Sequence, residues 1–194
     1  MPARGAHLEE QGELPRPIHA VPVQAAPGRT VTTGALTQLV NLSAERILLA
    51  DKVAAAKFGT STPIEDPARE QQVLNQAATL AAEAGIDPEE TVEFFRAQIE
   101  MSKFVQRGLY ELWTARPELA PAERPDLATE VRPQLDRITV AFVGQLAASE
   151  DLRGPSPRCA VSLIVAGMAA DCCYHLDRLR QRALWGAVEP VCAA

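Results

Sequence analysis

Aromatic side chains make up only 5% of this chain of 194 residues, while 47% of it is hydrophobic and alanine and leucine dominate. That bias favours helices packed on helices. No alternating apolar and polar run bounded by turn residues supplies the strands of an α/β fold. No run of about 18 apolar residues occurs, which excludes a membrane-spanning helix. Positive charge is not in excess either. With a net charge of −6 the chain lacks the footprint of a nucleic-acid binder, so any preference for anions must come from a local cluster of cations. Familiar catalytic sets are missing too. His7 and His19 lie near the N-terminus, and His175 stands beside Cys172 and Cys173 without metal-ligand spacing. There is no Glu-x-x-His pair, no phosphate-cradling glycine loop and no nucleophile elbow. An enzyme built from this chain is expected to need no metal, cofactor or covalent nucleophile, and to act through binding geometry and electrostatics.

What is present is punctuation for about five main helices in an all-α bundle. The first is expected over Ala35 to Lys57, stopped by "FGTSTP". In "EDPARE" Asp66 is placed to cap a second helix that opens on Pro67 and closes at Gly85. "IDPEE" repeats the device for a third, from Asp87 and Pro88 to about Ala115. A Pro-rich connector, "RPELAPAERPD", leads to a fourth over Leu127 to Ala148 with Pro133 in its first turns. "RGPSP" precedes a last helix over Pro157 to Val188. Residues 1–29, rich in proline and glycine with no continuous apolar stretch, read as a flexible tail without the apolar core of a secretory signal. Residues 30–194 read as a single helical domain.

Within "AERILLADKVAAAKF", residues Leu39, Leu42, Arg46, Leu49 and Val53 follow the three-and-four spacing of a core-facing stripe. Lys57 lies eleven residues beyond Arg46, and eleven steps of roughly 100° return the helix to within about 20° of its starting direction. Both cations therefore face inward. Snorkelling of the long stems accounts for such a residue singly; two on one line point to a buried anion. Other polar residues join them: Asp66, Arg69 and Glu70 at the start of the second helix, Ser102 and Gln106 one turn apart in the third, and Arg132 at the start of the fourth. Taken one at a time, these are a solvated first-turn charge, a back-bonded hydroxyl, a surface amide and a rim cation.

Of four cysteines, adjacent Cys172 and Cys173 point in different directions on a helix. A bridge from Cys159 to Cys192 would staple the C-terminus to the start of its own helix, and four free thiols in a reducing compartment is the other reading.

The three segments "AERILLADKVAAAKF", "PIEDPARE" and "QIEMSKFVQ" resemble the all-helical chorismate mutases of the AroQ class. Arg46, Lys57, Arg69, Glu70, Ser102 and Gln106 repeat that class's active-site order and spacing. Length, the extra helix and the positions of Cys159 and Cys192 look like the exported gamma subclass, whose members carry a corresponding disulfide. The resemblance implies a pericyclic rearrangement of chorismate to prephenate, an isomerase reaction without proton transfer, metal or cofactor. It assigns Arg46 and Arg132, with Ser102, to the substrate carboxylates, and Lys57 and Gln106 to the ether oxygen. Arg69 would support the carboxylates, and Glu70 with Asp66 would accept from the ring hydroxyl. It further implies a Cys159–Cys192 bridge, export from the cytoplasm, and a homodimer whose sites each lie within one chain. The competing reading is a non-catalytic carboxylate-binding or effector-like helical module.

Overall fold

The structure, a computed structural model, describes residues 29–193. The expected tail therefore lies outside the described residues, apart from Arg29, where the first helix begins. Six α-helices follow: α1 (Arg29–Lys57), α2 (Pro67–Ala84), α3 (Pro88–Ala115), α4 (Arg132–Ala148), α5 (Pro157–Tyr174) and α6 (Arg178–Val188). No strand occurs among the described residues.

The expected caps form. The Asp66 carboxylate accepts the Arg69 N–H at 3.1 Å, and Gly85 closes α2 in the left-handed conformation at φ 74°. Asp87 accepts from Glu89 and Glu90 to open α3. Each cap removes an orphaned amide from the first turn. At the connector, Asp126 caps a π turn over Leu127–Val131, in which the Arg132 N–H reaches back to the Leu127 carbonyl. Pro133 explains the wide turn. It has no N–H to give, and its ring would collide with the carbonyl four residues earlier.

One expectation fails in the second half. The last helix is not continuous to Val188 but breaks after Tyr174, where His175 takes the left-handed conformation (φ 50°, ψ 48°). Buried Leu176 anchors the turn, and Asp177 restarts the chain as α6 by accepting the Arg180 N–H at 2.9 Å. The bundle thus has six helices where about five were expected.

Helix α1 runs through the middle of the bundle, with α3, α4, α5 and α6 around it, while α2 packs on α3 and α4. Three of the few aromatic rings, Phe94, Phe95 and Phe142, meet edge to face at 5.0 to 5.7 Å where α3 crosses α4. Such pairs add modestly to the burial of the rings themselves. Cys159 and Cys192 are disulfide-bonded, with Cα atoms 5.8 Å apart across 33 residues of sequence. Cys172 and Cys173 are free and exposed. No described helix is long and apolar enough to cross a membrane.

Candidate active site

Where α1, α2, α3 and α4 converge they leave a cavity of about 120 Å³. Its wall takes Arg46 from α1, Asp66 from the loop, Arg69 and Glu70 from α2, Ser102 and Gln106 from α3, and Asp136 and Thr139 from α4. Residues far apart in the chain are thus gathered around one space, as the inward polar pattern required.

Arg46 is 6% exposed, and its Nε is buried without a hydrogen bond. Burial, reinforced by the neighbouring Arg69 guanidinium and only partly offset by Asp136, pushes its pKa down to about 10. It still carries its charge at neutral pH. A buried guanidinium without an ion pair is costly, and here it borders a cavity. Arg69, also on the wall, is held by Asp136 at 3.0 Å.

Gln106 is buried, and its Nε2 donates to the Ser102 carbonyl at 3.3 Å and to the Ser102 hydroxyl at 3.4 Å. These are long bonds for an amide. Its Oε1 is buried without a partner. Glu70 is gripped at both oxygens: Oε1 accepts the Asp66 N–H at 3.2 Å and Oε2 accepts from Lys103 at 3.0 Å.

Two of the expected residues stand off the wall. Lys57 is buried, but its ammonium donates to the Pro63 and Ile64 carbonyls at 2.9 and 3.1 Å. It sits behind Ile64, which does line the cavity. Burial lowers its pKa, opposed by Asp66, Glu65 and Glu70 and reinforced by Arg132. Arg132 itself is exposed at the start of α4. It lies within electrostatic reach of Lys57, but α4 presents Asp136 to the cavity instead.

Lys103 was not anticipated. It lines the cavity, is 9% exposed, and bonds Glu70 and Glu100 at 3.0 and 2.7 Å. Its place directly after Ser102 puts it roughly 100° around the helix, so the spacing that singled out Ser102 and Gln106 passed over it. The signal available was a lysine one residue off a polar stripe.

A larger groove of about 1290 Å³ lies between α1, α3, α6 and the connector. Among the described residues, it contains none of the expected ones, and no buried unpaired polar atom lines it.

A family described as chorismate mutase type II matches residues 37–107, the stretch that carries Arg46, Lys57, Asp66, Arg69, Glu70, Ser102, Lys103 and Gln106. The secreted chorismate mutase of Mycobacterium tuberculosis is 34% identical over 162 residues, spanning 84% of this chain and 80% of that protein. The chain belongs to the chorismate mutase family. The secreted chorismate mutase of Mycolicibacterium smegmatis is 37% identical over 58% of this chain and 61% of its own length. A crystal structure of chorismate mutase from Burkholderia phymatum superposes with a TM-score of 0.77 at 34% identity, covering 84% of this chain and 99% of that one. The family match ends before Arg132, the disulfide and the α5–α6 break.

Proposed function

We propose that the cavity between α1, α2, α3 and α4 is the site at which this isomerase converts chorismate to prephenate. The reaction breaks an ether C–O bond while a C–C bond forms, within one dianionic molecule and without a proton to transfer. Catalysis then consists of holding the compact conformer and stabilising charge that grows on the ether oxygen. The observation that carries this reading is the buried, unpaired Arg46 beside Arg69: two guanidinium groups facing one small cavity call for anionic groups that fit it.

Arg46 and Arg69 meet the substrate carboxylates, with the Ser102 hydroxyl beside them. Gln106 supplies the donor to the ether oxygen. Its terminal torsion is broad and two-fold, so the amide can turn Nε2 toward the substrate while the Ser102 hydroxyl donates to Oε1, relieving the oxygen now buried alone. Lys57, held off the wall by the Pro63 and Ile64 carbonyls, reaches the ether oxygen and an adjacent carboxylate by turning its ammonium from them into the cavity. Arg132 contributes from the rim. Glu70 accepts from the ring hydroxyl, and Asp66 holds Glu70 through its backbone N–H. An acceleration of roughly 10⁶-fold, about 8 kcal/mol, is within reach of orientation and a few preorganised donors.

The protein acts outside the cytoplasm, a reading supported by the disulfide and by relatives named as secreted. It assembles as a homodimer. The outer face of α5 from Ala160 to Ala170 exposes no charged side chain, and Val161, Ile164, Val165 and Met168 form a bare apolar stripe on it. A second copy matches that face, because pairing it with itself across a two-fold axis desolvates no charge. The cavity lies elsewhere, and one chain is enough to surround it with polar groups from α1, α2, α3 and α4.

The deciding experiment is direct: purified protein is mixed with chorismate, and loss of its absorbance is followed together with appearance of prephenate. Turnover that Arg46→Leu reduces at least 100-fold is expected. Folded wild-type protein that binds a dicarboxylate but leaves chorismate unchanged would instead establish the non-catalytic module.

A further inference from the structure

Lys103 is the one cavity-wall cation for which the rearrangement as described has no use. It is almost fully buried, and its ammonium bridges Glu70 on α2 and Glu100 on its own helix. The two partners are unequal. Glu100 is half exposed, one helical turn away, and such a surface pair contributes little. Glu70 is three-quarters buried at the cavity and comes from another helix.

We propose, on the reading that this cavity rearranges chorismate, that Lys103 is a positioning residue. It fixes Glu70 as the acceptor for the substrate hydroxyl and keeps that carboxylate away from the cations that must meet the substrate's own carboxylates. Glu70 has two holders. The Asp66 N–H grips Oε1 at 3.2 Å and the Lys103 ammonium grips Oε2 at 3.0 Å. With the second holder gone, the side chain can turn about its remaining torsions. The positive charge it meets is that of Arg69 on the same wall, and of Lys57, on which it already acts through space. A carboxylate paired there competes with the substrate, so the cavity loses both an acceptor and part of its affinity for a dianion. Burial lowers the Lys103 pKa, and the bonds to Glu100 and Glu70 more than restore it, so the grip persists across the neutral range.

The test is a double-mutant cycle of Lys103→Met and Glu70→Gln, with kcat and KM for chorismate measured separately and prephenate affinity measured by calorimetry. Lys103→Met is expected to raise KM about tenfold and to weaken prephenate binding by a similar factor, with a smaller fall in kcat. Lys103→Arg is expected to recover most of the loss. In the Glu70→Gln background Lys103→Met should cost less than a further twofold, because the residue through which it acts is already neutral. Independent, multiplying losses in the double variant would overturn the proposal in favour of direct contact with substrate. A lowered melting temperature with unchanged KM and prephenate affinity would overturn it in favour of a clamp between α2 and α3. Should Lys103→Met fail to fold, Lys103→Gln carries the same cycle. A wild type that never turns over chorismate defeats the functional reading, whereas turnover indifferent to Lys103 defeats this inference alone.

Discussion

The residue that costs this fold most for its function is Arg46. A guanidinium buried without an ion pair is worse placed than an apolar side chain of similar size, and burial together with the neighbouring Arg69 pushes its pKa down to about 10. Arg46→Leu is therefore expected to stabilise the protein by about 1–3 kcal/mol while kcat/KM falls at least 100-fold, as read from denaturant melts and initial rates on the same preparation. Equal losses in both would mean that Arg46 is structural. The pH profile follows with a definite sign. In the proposed site Arg46 and Lys57 would bind a dianion only when protonated, and burial moves both below their ordinary values. The kcat/KM profile, which reports the free enzyme, should hold through neutrality and fall on the alkaline side as these groups lose their protons. Bound dianion favours the charged forms, so the same limb in kcat should lie at higher pH. Because Gln106 donates without titrating, the neutral region should be flat, and Gln106→Glu should make activity fall as pH rises through the carboxylic-acid range. The inward direction of Arg46 was readable from sequence because helical period fixes direction. Lys103 was not, since what marks it is Glu70, 33 residues earlier, and only tertiary packing brings the two together.

At the scale of elements, prolines and caps located α2 and α3 because those signals act within a few residues. Two features escaped. The π turn before α4 gave no signal in the sequence, and of two residues one helical turn apart on α4 it is Asp136 that lines the cavity while Arg132 stays exposed at the start of the helix. The α5–α6 break carries no glycine or proline; it rests on a non-glycine residue in the left-handed region, His175, where Leu176 burial and the Asp177 cap outweigh a local conformational cost. The two helices then pack so closely that a Cβ on Gly167 would overlap the Trp185 ring. Gly167→Ala should destabilise the protein by about 1–3 kcal/mol, because the whole indole must swing outward and give up its contact with α5 to admit the methyl group. A Cβ on Gly186 would meet the flexible Met101 side chain, so Gly186→Ala should cost clearly less. Equal midpoints in urea for the two variants would contradict this account of the α5–α6 contact.

On the scale of the whole molecule, the question is what covers the outer side of α5. Met168 is 65% exposed and Val165 63%, with Val161 and Ile164 beside them, and a contiguous apolar patch of this kind marks an interaction surface. The stripe is centred near Val165, so a two-fold axis there would set each α5 antiparallel to its copy and bring the two Val165 side chains together. The exposed Cys172 thiols would then lie about 21 Å apart along the helices, from seven residues of about 1.5 Å rise on each side, too far to bridge. Val165→Cys should therefore cross-link spontaneously in air while Cys172 in the wild type does not. Met168→Glu would bury a carboxylate against an apolar copy of itself, at a cost of several kcal/mol, raising the dimer dissociation constant more than 100-fold. Light scattering should then report half the wild-type mass. Because one chain is enough to surround the cavity with cations and donors from α1, α2, α3 and α4, that monomer should retain wild-type kcat/KM. A wild type already monomeric at micromolar concentration would remove the dimer, and a Met168→Glu monomer without activity would show that the site depends on its neighbour.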